Sequence, residues 1–131
     1  MKIMVDSNII MSALLFPSGT AAKAFEKCIL EHDLILCTYI IDECKKVVAK
    51  KFVNHIKDLD IFLQHLVYTL VYTPTNPKPD LFEIRDPNDY PILYTAIQEN
   101  VDLFITGDKD YYGVKIKKPV ILSPNDFLAK Y

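Results

Sequence analysis

A chain of 131 residues, half of them hydrophobic and 24% charged, fits one domain that buries roughly 70% of its unfolded surface, which excludes a disordered protein. A net charge of −2 excludes a general attraction to nucleic acid, so any contact with a phosphate backbone must use a local basic patch. No apolar run approaches the roughly 18 residues of a membrane span, Met1–Asp6 has the length of a strand rather than a signal peptide, and Cys28, Cys37 and Cys44 lack CxxC pairing, so the expectation is a cytoplasmic protein with reduced packing cysteines.

Ile3, Met4 and Val5 are consecutive apolar residues ending at Asp6-Ser7-Asn8, which predicts a buried strand over Lys2–Val5. A short helical segment to Phe16 follows, Pro17-Ser18-Gly19 breaks it, and Ala21, Ala24, Phe25, Cys28 and Ile29 recur at helical spacing. Leu34–Cys37 reads as the second strand. From Tyr39 to Phe52 a 3.6 period runs through Ile40, Ile41, Cys44, Val47 and Val48, leaving Lys45, Lys46 and Lys50 outside.

A helix is predicted from about Asp58 to Leu70, and the stretch Val67–Thr73 reads equally as its end or as a short strand. Pro74, Pro77 and Pro79 impose an extended connector. A helix over Pro87–Asn100, a strand over Leu103–Thr106, an edge strand within Val114–Ile121 and a closing helix over Pro124–Lys130 complete the reading. Strand and helix alternate, which predicts an α/β fold: a three-layer α/β/α sandwich around a central parallel sheet.

Four acids, Asp6, Glu43, Asp89 and Asp108, stand where predicted strands give way to loops or helices. In an open parallel sheet the carboxyl ends of strands converge on one crevice, and acids gathered there call for a hard cation. Each also has a plainer reading. Asp6 and Asp108 suit turns or caps, Glu43 beside Asp42 suits the helix dipole, and Asp86-Pro87-Asn88-Asp89 has the same capping grammar as Ser123-Pro124-Asn125-Asp126. Asp42 and Glu43 point about 100° apart on a helix, so at most one is well aimed at a shared crevice. Asp110 falls further into the loop and is the weaker candidate. His32, His55 and His65 have no ligand spacing, and no P-loop, dinucleotide fingerprint or nucleophile elbow is present. The lysines near 45–51 and 109–118 fit either a basic patch or a solvated helix face with a lysine-blunted edge strand.

Taken in order, Val5-Asp6-Ser7-Asn8, Glu43 in the post-strand helix, Arg85-Asp86-Pro87-Asn88-Asp89 and Ile105-Thr106-Gly107-Asp108-Lys109-Asp110 resemble the PIN domain over essentially the whole of residues 1–131. The likeness is to its small single-domain branch, the VapC-like toxin components of toxin–antitoxin systems. The resemblance implies a magnesium- or manganese-dependent ribonuclease with a PIN-like fold, whose four acids would be Asp6, Glu43, Asp89 and Asp108, both catalytic and metal-binding. Ser7 or Thr106 would supply the supporting hydroxyl, Asn8 would help to orient Asp6, and Asp86 would be a further acid of this branch. Similar proteins form homodimers and are inhibited by a small antitoxin. The chain departs from the pattern at Asn88, where relatives often carry an Asp.

An all-carboxylate, histidine-free set suits Mg²⁺ or Mn²⁺ better than zinc. On this reading Asp6, Asp89 and Asp108 hold the metal, Glu43 binds a second ion or orients the attacking water, and Lys45, Lys46 and Lys50 guide RNA. Two rivals share the residues. One is a non-catalytic PIN-fold module that binds RNA or protein. The other is a receiver-like phosphotransfer domain, which usually needs adjacent acids after the first strand, where Asp6-Ser7-Asn8 offers one.

Overall fold

In the computed structural model, which describes residues 1–131, β1 (Lys2–Val5) occupies the centre of a five-stranded sheet. Its order is β3-β2-β1-β4-β5 and every pairing is parallel, with β2 at Asp33–Cys37, β3 at Thr69–Val71, β4 at Leu103–Ile105 and β5 at Val120–Leu122. Successive strand residues face opposite sides of a sheet, and Ile3, Met4 and Val5 are all 0% exposed, so both faces of β1 are covered. Helices supply that cover and complete the α/β/α layering.

The connections are α1 (Ser7–Leu15) and α2 (Thr20–Glu31) between β1 and β2, then α3 (Thr38–Lys51) and α4 (Ile56–His65) between β2 and β3. A long prolyl connector and α5 (Tyr90–Gln98) lead to β4, the single turn α6 (Lys109–Tyr112) follows it, and α7 (Pro124–Lys130) closes the chain. Ile40, Cys44 and Val48 of α3 are buried, as their spacing predicts, and all three cysteines are free and buried.

Partner strands decide the boundaries that periodicity leaves open. Val67–Thr73 resolves to a strand at Thr69–Val71 because β2 has a free edge, where Ile35, Leu36 and Cys37 pair in register with Thr69, Leu70 and Val71. The preceding helix therefore stops at His65 rather than Leu70. The edge strand expected within Val114–Ile121 is confined to Val120–Leu122, since β4 offers a ladder of only three residues. Lys115, Lys117 and Lys118 consequently precede the strand and do not blunt it, and Lys118 pairs with Asp102 at 3.1 Å.

The sheet order doubles back at β1, with β2 on one side and β4 on the other. A crevice opens at such a switch point, outside the carboxyl ends of the two strands. The register Val5↔Ile105 sets Asp6 beside Thr106 at its mouth, and the Asp6 amide donates to the Ile105 carbonyl at 2.9 Å.

Candidate functional site

Asp6 caps α1 and is 4% exposed, so its carboxylate is held by short-range donors rather than by water. The Ser7 amide donates to Oδ1 at 2.8 Å, the Thr106 hydroxyl to Oδ2 at 2.8 Å, and Asn8 Nδ2 to Oδ2 at 3.1 Å. Burial nevertheless raises its pKa from the ordinary 3.8 to about 6; the Thr106 and Ser7 hydrogen bonds oppose the rise, and the charges of Glu43 and Asp108 add to it. The cap reading of Asp6 is thus true locally, and the second oxygen belongs to a network that spans β1 and β4.

Thr106 is fully buried and serves both sides of the crevice: besides donating to Asp6, its hydroxyl accepts from the Asp108 amide at 3.0 Å. Asn8 bridges the same strands, its Oδ1 accepting from the Gly107 amide at 3.2 Å. A Cβ at residue 107 would lie 3.7 Å from that oxygen, an ordinary contact, so closeness alone does not require glycine there. Glu43, in the second turn of α3, accepts a hydrogen bond from the Ser7 hydroxyl, which ties α3 to the start of α1.

Around Asp89 the helix expected from Pro87 begins only at Tyr90. Asp86 and Asp89 close a turn instead: the Asp89 amide donates to the Asp86 carbonyl at 3.0 Å and the Asn88 amide to Asp86 Oδ1 at 2.9 Å. The Asp89 side chain caps nothing, whereas Ser123 in the similar second segment caps α7 by accepting from the Asp126 amide at 3.1 Å. Shared capping grammar therefore has two outcomes, and the first leaves a carboxylate free for the crevice. Burial, with the charges of Asp6, Asp86 and Asp108, raises the pKa of Asp89 to about 7.

Asp108 caps α6 by accepting from the Asp110 amide at 2.9 Å. This unforeseen helical turn swings Asp110 back, so that carboxylate oxygens of Asp89, Asp108 and Asp110 lie within 4.8 Å of one another. Asp110, expected in the outer loop, thus joins the cluster; Arg85 holds it through Nε at 2.9 Å and Nη2 at 2.6 Å and lowers its pKa. The alternation of acids at 108 and 110 about a potential helix cap was the available signal.

Tyr111 carried no sequence signal. It is 0% exposed, its ring packs on Phe104 at 4.9 Å, and its hydroxyl is the one buried side-chain polar atom without a hydrogen-bond partner. The hydroxyl lies toward Asp6, Asp89 and Glu43 without reaching normal hydrogen-bond geometry with any of them, and burial plus those charges drive its pKa well above the usual tyrosine range.

Of the lysines on α3, Lys46 lines a cleft beside Glu43 together with Tyr39, Asp42 and Asn88; Lys45 and Lys50 are exposed outside it. Asp42 and Glu43 share that cleft despite their angular separation, Glu43 turned in to Ser7 and Asp42 left exposed. The donor set of the crevice is entirely carboxylate, with no histidine or cysteine thiolate, and its two raised pKa values record repulsion and burial that a hard divalent cation would relieve; the residues fit Mg²⁺ or Mn²⁺.

Comparison with known proteins places this crevice in context. A family model described as PIN domain matches residues 2–110. The uncharacterized protein MJ1680 of Methanocaldococcus jannaschii is 26% identical over 118 residues, covering 87% of this chain and 75% of that protein. A chain in the crystal structure of VapBC2 from Rickettsia felis, bound to a DNA fragment from their promoter, superposes with a TM-score of 0.70 at 19% identity, over 94% of this chain and 98% of that one.

Proposed function

The chain belongs to the PIN domain family, and on that footing we propose that it is a magnesium- or manganese-dependent ribonuclease, a single nuclease domain over residues 1–131 that acts as the toxin of a toxin–antitoxin pair. The observation that supports the reading is that carboxylate oxygens of Asp89, Asp108 and Asp110 lie within 4.8 Å of one another, with the buried Asp6 close enough to feel the charge of Asp108 and to raise Asp89, and with the pKa values of Asp6 and Asp89 lifted to about 6 and about 7. Burying like charges is costly, and structural needs alone do not explain it.

Asp6, Asp89 and Asp108 would hold the metal, with Asp110 available should Arg85 release it. A bound divalent ion supplies a water of lowered pKa and polarises the phosphoryl oxygen. The protein's own groups do the rest. Ser7 aims the Glu43 carboxylate, which orients the attacking water. Thr106, the Ser7 amide and Asn8 hold Asp6 in one rotamer, and Asp86 fixes the turn that presents Asp89. Lys46 offsets phosphate charge at the rim of an otherwise acidic site.

A small antitoxin and a homodimer are proposed here from the resemblance to the VapC-like branch, which the fold shared with a chain of the VapBC2 structure supports. Phe16, Val53, Ile61, Val67 and Tyr72 are exposed apolar side chains available to such partners. No helix is long and apolar enough to cross a membrane, and a cytoplasmic site of action is part of the proposal.

The test is incubation of the purified protein with mixed RNAs, with and without Mg²⁺ or Mn²⁺, beside Asp6→Asn. Metal-dependent cleavage by the wild type and none by the variant is expected. Cleavage that persists in Asp6→Asn refutes the assignment of Asp6. RNA binding without cleavage under any metal would favour the non-catalytic module.

A further inference from the structure

Tyr39, Asp42, Glu43 and Lys46 stand at i, i+3, i+4 and i+7 on α3, a spacing that puts all four on one helix face. Core-facing stripes of this spacing are normally apolar, and the apolar stripe of α3 is elsewhere, at Ile40, Cys44 and Val48. The polar stripe instead forms one wall of a cleft of about 330 Å³, and Asn88 from the Asp86–Asp89 turn contributes to the other. The cleft adjoins the catalytic candidates directly, because Glu43 belongs to both.

Two of the lining side chains, Asp42 and Asn88, are free to bind. Asp42 and Asn88 are exposed, neither side chain makes a hydrogen bond or ion pair within the protein, and Asn88 is steadied through its backbone amide by Asp86. Tyr39 is half-buried and packs against the hydrophobic core, which makes its ring a wall rather than a swinging side chain. Lys46 is the one cation lining the cleft.

A planar aromatic wall, a free carboxylate, a free carboxamide and an ammonium together describe a nucleotide. A carboxylate offers two acceptors, and the carboxamide adds a donor. Of the four RNA bases, guanine alone presents two adjacent N–H donors, at N1 and N2, followed by an acceptor at O6; adenine, cytosine and uracil each present a single donor group on that edge. We propose that this cleft is a guanine subsite that sets where the chain is cut, with the base against Tyr39, Asp42 accepting from N1 and N2, Asn88 donating to O6, and Lys46 on the adjoining phosphate. This deepens the ribonuclease reading and rests on it for its biological use, while the binding itself needs neither metal nor turnover.

The experiment is an NMR titration of the full chain in EDTA with the 5′-monophosphates of guanosine, adenosine, cytidine and uridine. Guanosine monophosphate should bind about 10-fold or more tighter than the other three, within the range that a bidentate base contact supplies, and shift resonances of α3 and of the Asp86–Asp89 turn. Asp42→Asn should erase that preference. Tyr39→Ala should weaken all four nucleotides about 5- to 150-fold, as loss of stacking does, and Tyr39→Phe should restore binding. Equal affinity for the four nucleotides, or a preference that survives Asp42→Asn, overturns the proposal. Metal-dependent cleavage without guanine preference overturns this inference alone; guanosine selectivity in a protein that cuts no RNA upholds it and removes the nuclease reading.

Discussion

Replacing Asp6 by asparagine should stabilise the metal-free protein at neutral pH while abolishing its response to magnesium. Asp6 titrates near 6 in the folded state against an ordinary 3.8, so the native protein takes up a proton there that the unfolded chain does not hold. The destabilising contribution of this group is therefore absent below pH 3.8, grows as the pH rises toward 6, and is complete above it. At 1.36 kcal/mol per pH unit the full penalty is about 3 kcal/mol. Asparagine keeps the acceptor for the Ser7 amide, but its Nδ2 would face two groups that donate to Oδ2 in the wild type, the Asn8 Nδ2 and the Thr106 hydroxyl, a conflict of about 1 kcal/mol each. A net gain of about 1 kcal/mol remains, and relief of Asp89, whose pKa Asp6 helps to raise, acts in the same direction. In urea, at an m value of about 2 kcal/mol per molar, the midpoint should rise by about 0.5 M in EDTA at pH 8. The gap should close toward pH 4. Excess magnesium should stabilise the wild type by about 2.7 kcal/mol at a hundredfold over its dissociation constant and leave the variant unmoved. A variant no more stable than the wild type at pH 8, or an advantage independent of pH, would refute the electrostatic account of the crevice.

Thr106→Val keeps the shape of a fully buried residue but removes the donor to Asp6 and the acceptor for the Asp108 amide; a loss of about 1–3 kcal/mol in denaturant melts and roughly 10–100-fold in calorimetric metal affinity is expected. Tyr111→Phe retains the ring on Phe104 and deletes an unpartnered hydroxyl, so metal-free stability should hold or rise by about 1 kcal/mol; a drop of similar size would mean that the hydroxyl is satisfied in solution. Arg85→Gln should free the Asp110 carboxylate for the cluster and tighten Mn²⁺ binding, measured by calorimetry, whereas unchanged affinity would leave Asp110 outside the site.

Local sequence determined the elements whose evidence is local. Consecutive apolar residues ended by Asp6 marked β1, the 3.6 period marked α3, and Ser123-Pro124 marked the start of α7, all within a residue or so of the structure. The four acids were legible as candidates because each stands where a predicted strand gives way to a loop or helix, whereas the hydroxyls Ser7 and Thr106 were singled out through the family resemblance. Their assembly was not legible. Only the register of β1 against β4 sets Thr106 on Asp6, and only the free edges of β2 and β4 decide how long β3 and β5 can be, since a parallel ladder is made by a partner remote in the chain. The two Pro-Asn-Asp segments read alike and fold differently, one capping α7 and one presenting Asp89, because a cap is chosen by where the following helix packs. Asp110 and Tyr111 enter the crevice through a single helical turn that a four-residue stretch is too short to announce. Charges repel or cooperate through space, so sequence could name the carboxylates, and tertiary structure alone could make them neighbours.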